Sequence, residues 1–141
     1  MSAEDELRAL VEERVRGVRE RDADTLAGRI DDDVLTFDVL PPLRARGSAP
    51  SIGHLRDWFD GYDGPIDYTV RELQVEADGD LGTCAFLYHV GGTLTTGAVV
   101  DMWVRATLVC RRTSGRWRIV HDHESVPFDP ATGQALISLQ P

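Results

Sequence analysis

The chain has 141 residues, 42% hydrophobic and 28% charged, with a formal net charge of -9 at pH 7. That length holds one domain with a real core, and the charge opposes phosphate backbones, which argues against nucleic-acid binding. All fifteen basic residues are arginine, so chemistry that needs a Schiff-base lysine or a phosphate-loop lysine is excluded.

No apolar run is long enough to cross a bilayer and the first residues are acidic, so a cytoplasmic protein without membrane contact is expected. Cys84 and Cys110 lie inside apolar strand patterns, as reduced buried cysteines do. With no CxxC, a metal site has only the four histidines to draw on. His121 and His123, two apart on a strand, with His89 as a third ligand, have the required chemistry.

In chain order, Ser2 caps a helix over about residues 3 to 20 in which Leu7, Leu10, Val11, Val15 and Val18 form one face. Asp22 caps a short second helix that the acidic run Asp31-Asp32-Asp33 ends. Val34 to Leu40 reads as a strand stopped by Pro41-Pro42. Pro50 suits the first turn of a third helix, with Ile52, Leu55, Phe59 and Tyr62 on its buried stripe and His54 and Trp58 one turn apart. Four long strands follow, about 66 to 77, 82 to 91, 97 to 112 and 116 to 126, separated by glycine-bearing turns. Helices first and a strand meander afterwards predict an α+β fold, a single domain over 1–141 with a core of about 3–128 and a loosely held extension over 129–141.

The last strand carries the chemistry. Side chains alternate between its faces, so Asp122 and Glu124 share one and His121, His123 and Ser125 the other. A three-residue hairpin loop Thr113-Ser114-Gly115 would pair Arg112 with Arg116 and place residues of like parity together. The even face, with Cys84, Phe86, Tyr88, Val90, Val104, Leu108 and Val120, is the more apolar and is predicted to meet the helices. The odd face, with Trp103, Arg105, Trp117, Ile119, His121 and His123, has the aromatic and arginine content of an interface and is predicted to pack against a second copy.

Asp122 and Glu124 then project into an apolar concavity. Burial and mutual repulsion resist their ionisation, which makes a general acid or base. Their structural alternative is an ion pair with Arg118 or Arg105. Asp38 is a second acid/base candidate or, structurally, a cap for the Pro41-Pro42 loop. His54, Trp58, Phe86, Tyr88, Val104, Leu108 and Val120 are the candidate substrate-binding residues, with plain core packing as their alternative. Nothing around Ser125 forms a nucleophile elbow.

An N-terminal helix pair, Phe37-Asp38 before Pro41-Pro42-Leu43 and Gly47, a Trp58-bearing helix, Gly115-Arg116-Trp117 and His121-Asp122-His123-Glu124-Ser125 together make a familiar pattern. It resembles the SnoaL-like branch of the nuclear transport factor 2-like superfamily, which includes ketosteroid isomerase and polyketide cyclases, over about residues 3 to 128. The resemblance implies a cone-shaped α+β fold, with N-terminal helices on a curved, mostly antiparallel sheet enclosing a pocket. It places Asp38 where ketosteroid isomerases keep their proton-abstracting aspartate, nine residues before Gly47, and Asp122 near the acid/base carboxylate of SnoaL-type cyclases. It implies a cofactor-free, metal-free isomerase or cyclase acting on an apolar carbonyl compound through an enolate-like intermediate. A non-catalytic ligand-binding or assembly module of the same fold is the alternative, and a hydrolase or dehydratase the third reading. The chain departs from ketosteroid isomerase in having no tyrosine before Tyr62 and Thr107 near the expected oxyanion aspartate. That speaks against steroid isomerisation and leaves Tyr88 or a protonated Asp122 as substitute donor.

Overall fold

The structure, a computed structural model, describes residues 1–141. Helix α1 (Ala3–Arg19) starts in a capping box, in which the Ser2 side chain accepts from the Asp5 N–H and Asp5 accepts from the Ser2 N–H. Acids in the first turn and arginines in the last match the helix dipole. Gly17 lets α1 approach α2 (Ala23–Ala27), since a Cβ there would sit 3.1 Å from Leu26 Cγ. Helix α3 (Ser48–Asp60) starts after Gly47, at φ 97°, with no side-chain cap.

The strands are β1 (Ile30–Phe37), β2 (Ala45–Arg46), β3 (Tyr62–Asp78), β4 (Leu81–Leu94), β5 (Val99–Thr113) and β6 (Arg116–Ser125). They form one curved, unclosed sheet in the order β2-β1-β6-β5-β4-β3, antiparallel except where β1 runs parallel to β6. The helices cover its concave face. There Leu7, Leu10 and Val11 of α1 are buried in one core with Cys84, Leu108, Cys110, Trp117 and Ile119 of the sheet. No helix is long and apolar enough to cross a membrane.

Several expectations about the strands need correction. Asp31-Asp32-Asp33 does not end a helix but lies within β1, where an irregular register against β6 accommodates it. Gly91-Gly92 does not separate strands, because β4 runs through it to Leu94. The hairpin after β5 is tighter by one residue: Thr113 pairs with Arg116 and Arg112 with Trp117, and a bulge between Val109 and Cys110 then shifts the register back. Trp117 and Ile119 are therefore on the core face, each 2% exposed, rather than on the outer one. Trp117 donates from Nε1 to Glu6 at 2.6 Å and lies under the Arg112 guanidinium. Past the bulge Leu108 pairs with Asp122 and Ala106 with Glu124, so both acids face inward.

The segment after Pro127 is not loose. It folds back, with Leu136 donating to the Pro127 carbonyl, and the Trp103 N–H donates to the Ile137 carbonyl where β6 has ended. An otherwise free stretch of the β5 edge is thereby paired.

Candidate functional site

Between α1, α3, the loop after β1 and the concave sheet lies a cavity of about 560 Å³, lined by 24 residues of which 15 are hydrophobic. That size and composition suit a small organic ligand. Asp38, Asp122 and Glu124 all line it, with His54, Trp58, Tyr88 and Val104 of the sequence-derived set. Phe86 and Leu108 do not; they are 4% and 0% exposed and belong to the core. Val120 falls at the β5–β6 bulge, outside the wall, because the extra residue there turns it from the concave face.

Asp122 and Glu124 meet neither Arg118 nor Arg105. Their partner is Arg14 of α1, whose Nη2 lies 3.1 Å from Asp122 and 3.5 Å from Glu124. All three side chains are at most 16% exposed. Arg14 carried no weight in the sequence reading, although a signal was there. It stands four residues after Leu10 and four before Val18, so it occupies the apolar stripe of α1. A cation in that stripe announces a buried anion.

Glu124 also accepts from the Tyr88 hydroxyl at 2.6 Å. Burial and then the Asp122 charge push Glu124 up to about 8, against the pull of Arg14 and the Tyr88 hydrogen bond. Two carboxyls share one guanidinium in a buried site, and the neutral form of one relieves the repulsion. Burial opposes the Arg14 charge, but Asp122 beside it wins and holds the guanidinium more firmly protonated than usual. Tyr68 and Tyr88, stacked at 4.7 Å, are both raised by burial. Asp38 sits at the mouth with its surface open to solvent. Atoms packed around its carboxyl, and then the Glu124 charge, raise it; its exposure makes that rise the smaller of the two. Its Oδ1 also accepts from the Leu40 N–H at 3.4 Å, the loop-capping contact that was its structural alternative.

Two oxygens on neighbouring strands lack partners. Thr36 of β1, 8% exposed, is the Cα partner of Asp122, and both Thr36 Oγ1 and Asp122 Oδ1 are buried without a hydrogen bond, as is Arg14 Nε.

On the convex face, Trp103 stacks at an angle to His89 and holds the Arg71 guanidinium at 5.9 Å. His121 and His123 each meet the Phe37 ring edge-on, and His121 Nδ1 lies 2.7 Å from the Leu35 carbonyl. Neither histidine lines the cavity. No group of three or more His, Cys, Asp or Glu side chains is arranged to hold a metal ion.

Fold and cavity together define an α+β pocket protein whose helices roof a curved sheet and whose buried end carries an arginine between two carboxyls. The chain belongs to the family of SnoaL-like domains, whose pattern it matches over residues 7–129. It is 32% identical to a nuclear transport factor 2-like protein of unknown function from Pseudomonas putida KT2440, over 99% of this chain and 96% of that one, with a TM-score of 0.90. It shares its fold with a nuclear transport factor 2-like superfamily protein from Salmonella enterica serovar Typhimurium, at 14% identity, 94% and 96% coverage and a TM-score of 0.79. The association domain of C. elegans CaMKII has the same fold, at 20% identity, 86% and 93% coverage and a TM-score of 0.69. No curated protein matches the sequence.

Proposed function

We propose that this chain is a cofactor-free acid/base enzyme of the isomerase or cyclase kind, acting on a small, largely apolar carbonyl compound. One observation carries the reading: Glu124, buried under the Tyr88 hydroxyl beside Asp122, and Asp38 at the mouth line the same largely apolar cavity, where burial raises both acids. Protonated Glu124, oriented by Tyr88, donates a hydrogen bond to the substrate carbonyl oxygen. Asp38 removes a proton from the adjacent carbon, and the electron pair of that C–H bond moves into the enolate whose oxygen Glu124 stabilises. Return of the proton at another carbon gives an isomer; attack of the enolate carbon on a second carbonyl gives a ring. Asp122 and Arg14 keep Glu124 in place. Part of the same proposal is a homodimer through the face bearing Trp103, Arg105, His121 and His123.

The test is deuterium uptake. Apolar cyclic ketones and β-diketones are incubated with the protein in deuterated buffer, and loss of the α-proton signals is followed by NMR. Exchange above the buffer rate, abolished by Asp38→Asn and by Glu124→Gln while the fold is kept, supports the proposal. Ketones that bind without exchanging overturn it in favour of the second reading, a binding or assembly module. Two observations favour that module: the Arg14 clamp, which equally serves as a buried structural ion pair, and the fold shared with an association domain.

A further inference from the structure

The ionisable groups lining the cavity are unevenly matched. Four carboxyls, Asp38, Asp57, Asp122 and Glu124, face a single arginine and a histidine. Arg14 is already engaged by Asp122 and Glu124, and Asp38 and Asp57 enter no ion pair. Deep in the site one carboxylate oxygen, Asp122 Oδ1, lacks a donor, and the hydroxyl across the strand pair, Thr36 Oγ1, is unpaired as well. Thr36 is 92% buried and lines the cavity. The remaining wall is aromatic: stacked Tyr68 and Tyr88 toward the acids, and Trp58 edge-on to Tyr62 at 5.4 Å toward the third helix. Ring faces attract cations, most strongly away from water. A chain of net charge -9 without a lysine also draws cations toward its surface and repels anions.

From this we infer that the ligand of the cavity is an apolar organic ammonium: a hydrocarbon body carrying one basic nitrogen that is seated among the aromatic faces and the acidic end. With Glu124 protonated, the wall still carries Asp38, Asp57 and Asp122 against Arg14, so a carboxylate ligand would add to the negative charge and a neutral one would leave it as it is. An ammonium supplies the missing positive charge and N–H donors for the buried carboxylate oxygen.

The groups that face Glu124 and set its proton are Arg14 from α1, Tyr68 from β3, Tyr88 from β4, Asp122 from β6 and Asp38 after β1, with His54 of α3 acting on Asp38. In the free protein a proton on Glu124 does the work of the absent cation. An incoming ammonium displaces it, and the proton leaves to buffer. The inference rests only on the ligand-pocket part of the proposed function: an ammonium seated at Glu124 takes the place of the proton that the proposed reaction uses, so the two are tested separately.

Matched probes decide it: 2-(2-naphthyl)ethylamine, 2-(2-naphthyl)ethanol and 2-naphthylacetate, with their cyclohexyl counterparts, titrated calorimetrically at neutral pH in two buffers of different ionisation enthalpy. The amine is expected to bind ~10-fold or more tightly than the alcohol, and the acetate not measurably. Amine binding should release a proton, seen as a buffer-dependent enthalpy, and Glu124→Gln should abolish that release and weaken the amine more than the alcohol. Asp122→Asn should reduce the preference for amine over alcohol. Equal or better binding of the alcohol or the acetate, or no binding of either amine, overturns the inference. Ketone exchange reads the reaction independently: its failure leaves the amine preference standing, and a reversed preference leaves the exchange standing.

Discussion

Glu124 is a carboxyl whose neutral form is the stable one in the folded chain, and that has a sign. Its proton is held up to about pH 8 in the fold, against an ordinary value of 4.5. Between those values the unfolded chain has released the proton while the native chain keeps it. Stability therefore falls as pH rises through that window and levels off above it. Asp38, also raised, acts in the same direction. Asp5 and Asp22, lowered by hydrogen bonds to Ser2 and Thr25, act oppositely, losing stability as pH falls. Glutamine cannot ionise, and its oxygen still accepts from Tyr88, although its amide nitrogen replaces the oxygen that stands 3.5 Å from Arg14. Glu124→Gln is expected to remove most of the decline, so that its stability relative to the unaltered protein rises from pH 5 to pH 8. Urea midpoints from pH 5 to pH 9 check this; parallel profiles for the two proteins would refute it. That the two acids share a face was legible because strand alternation is a local rule, whereas their arginine comes from another element and depends on how α1 is rotated against the sheet.

Among the elements, α1 against β4 is the closest fit. Gly82 is buried on the concave face, and a Cβ there would stand 2.5 Å from Leu7 Cδ1 and 3.1 Å from the Glu76 carbonyl. Leu7 is 0% exposed and has nowhere to go. Gly82→Ala is expected to cost ~1–3 kcal/mol, and Leu7→Ala in the same chain should recover part of it. A double-mutant cycle measures that coupling; strict additivity would mean that the helix simply lifts. Helices and strands were readable from periodicity, but turn length was not. A two-residue turn at Ser114-Gly115 moved Trp117 and Ile119 to the inner face, and the bulge near Val109 returned Asp122 and Glu124 to the face that simple parity had assigned them. The bulge has no side-chain signature in the sequence.

For the molecule as a whole, the proposed dimer face is testable because its central aromatic is only half-buried in the single chain. Trp103→Glu alters that face and leaves the backbone bond between Trp103 and the tail intact. Sedimentation should show the unaltered protein as a dimer and the variant as a monomer with the same circular dichroism. A monomeric parent, or a variant that still dimerises, refutes the interface. The α+β class, the helices-then-meander order and the curved antiparallel sheet were all legible at this scale. The path of the tail was not, since a few backbone hydrogen bonds of an irregular segment leave no pattern in its residues.

The parallel pairing of β1 with β6 joins segments from opposite ends of the chain. It therefore sets an order of events. During synthesis Arg14 and Asp38 emerge first, and the hairpins of β3, β4 and β5 form from local neighbours. Until the last strand slots between β1 and β5, the arginine has no anion to meet and the cavity lacks its acidic end. A chain interrupted before β6 lacks Trp117 and Ile119 of the core as well as Asp122 and Glu124 of the cavity, so the packing under the first helix and the acidic end of the site are completed in the same late step.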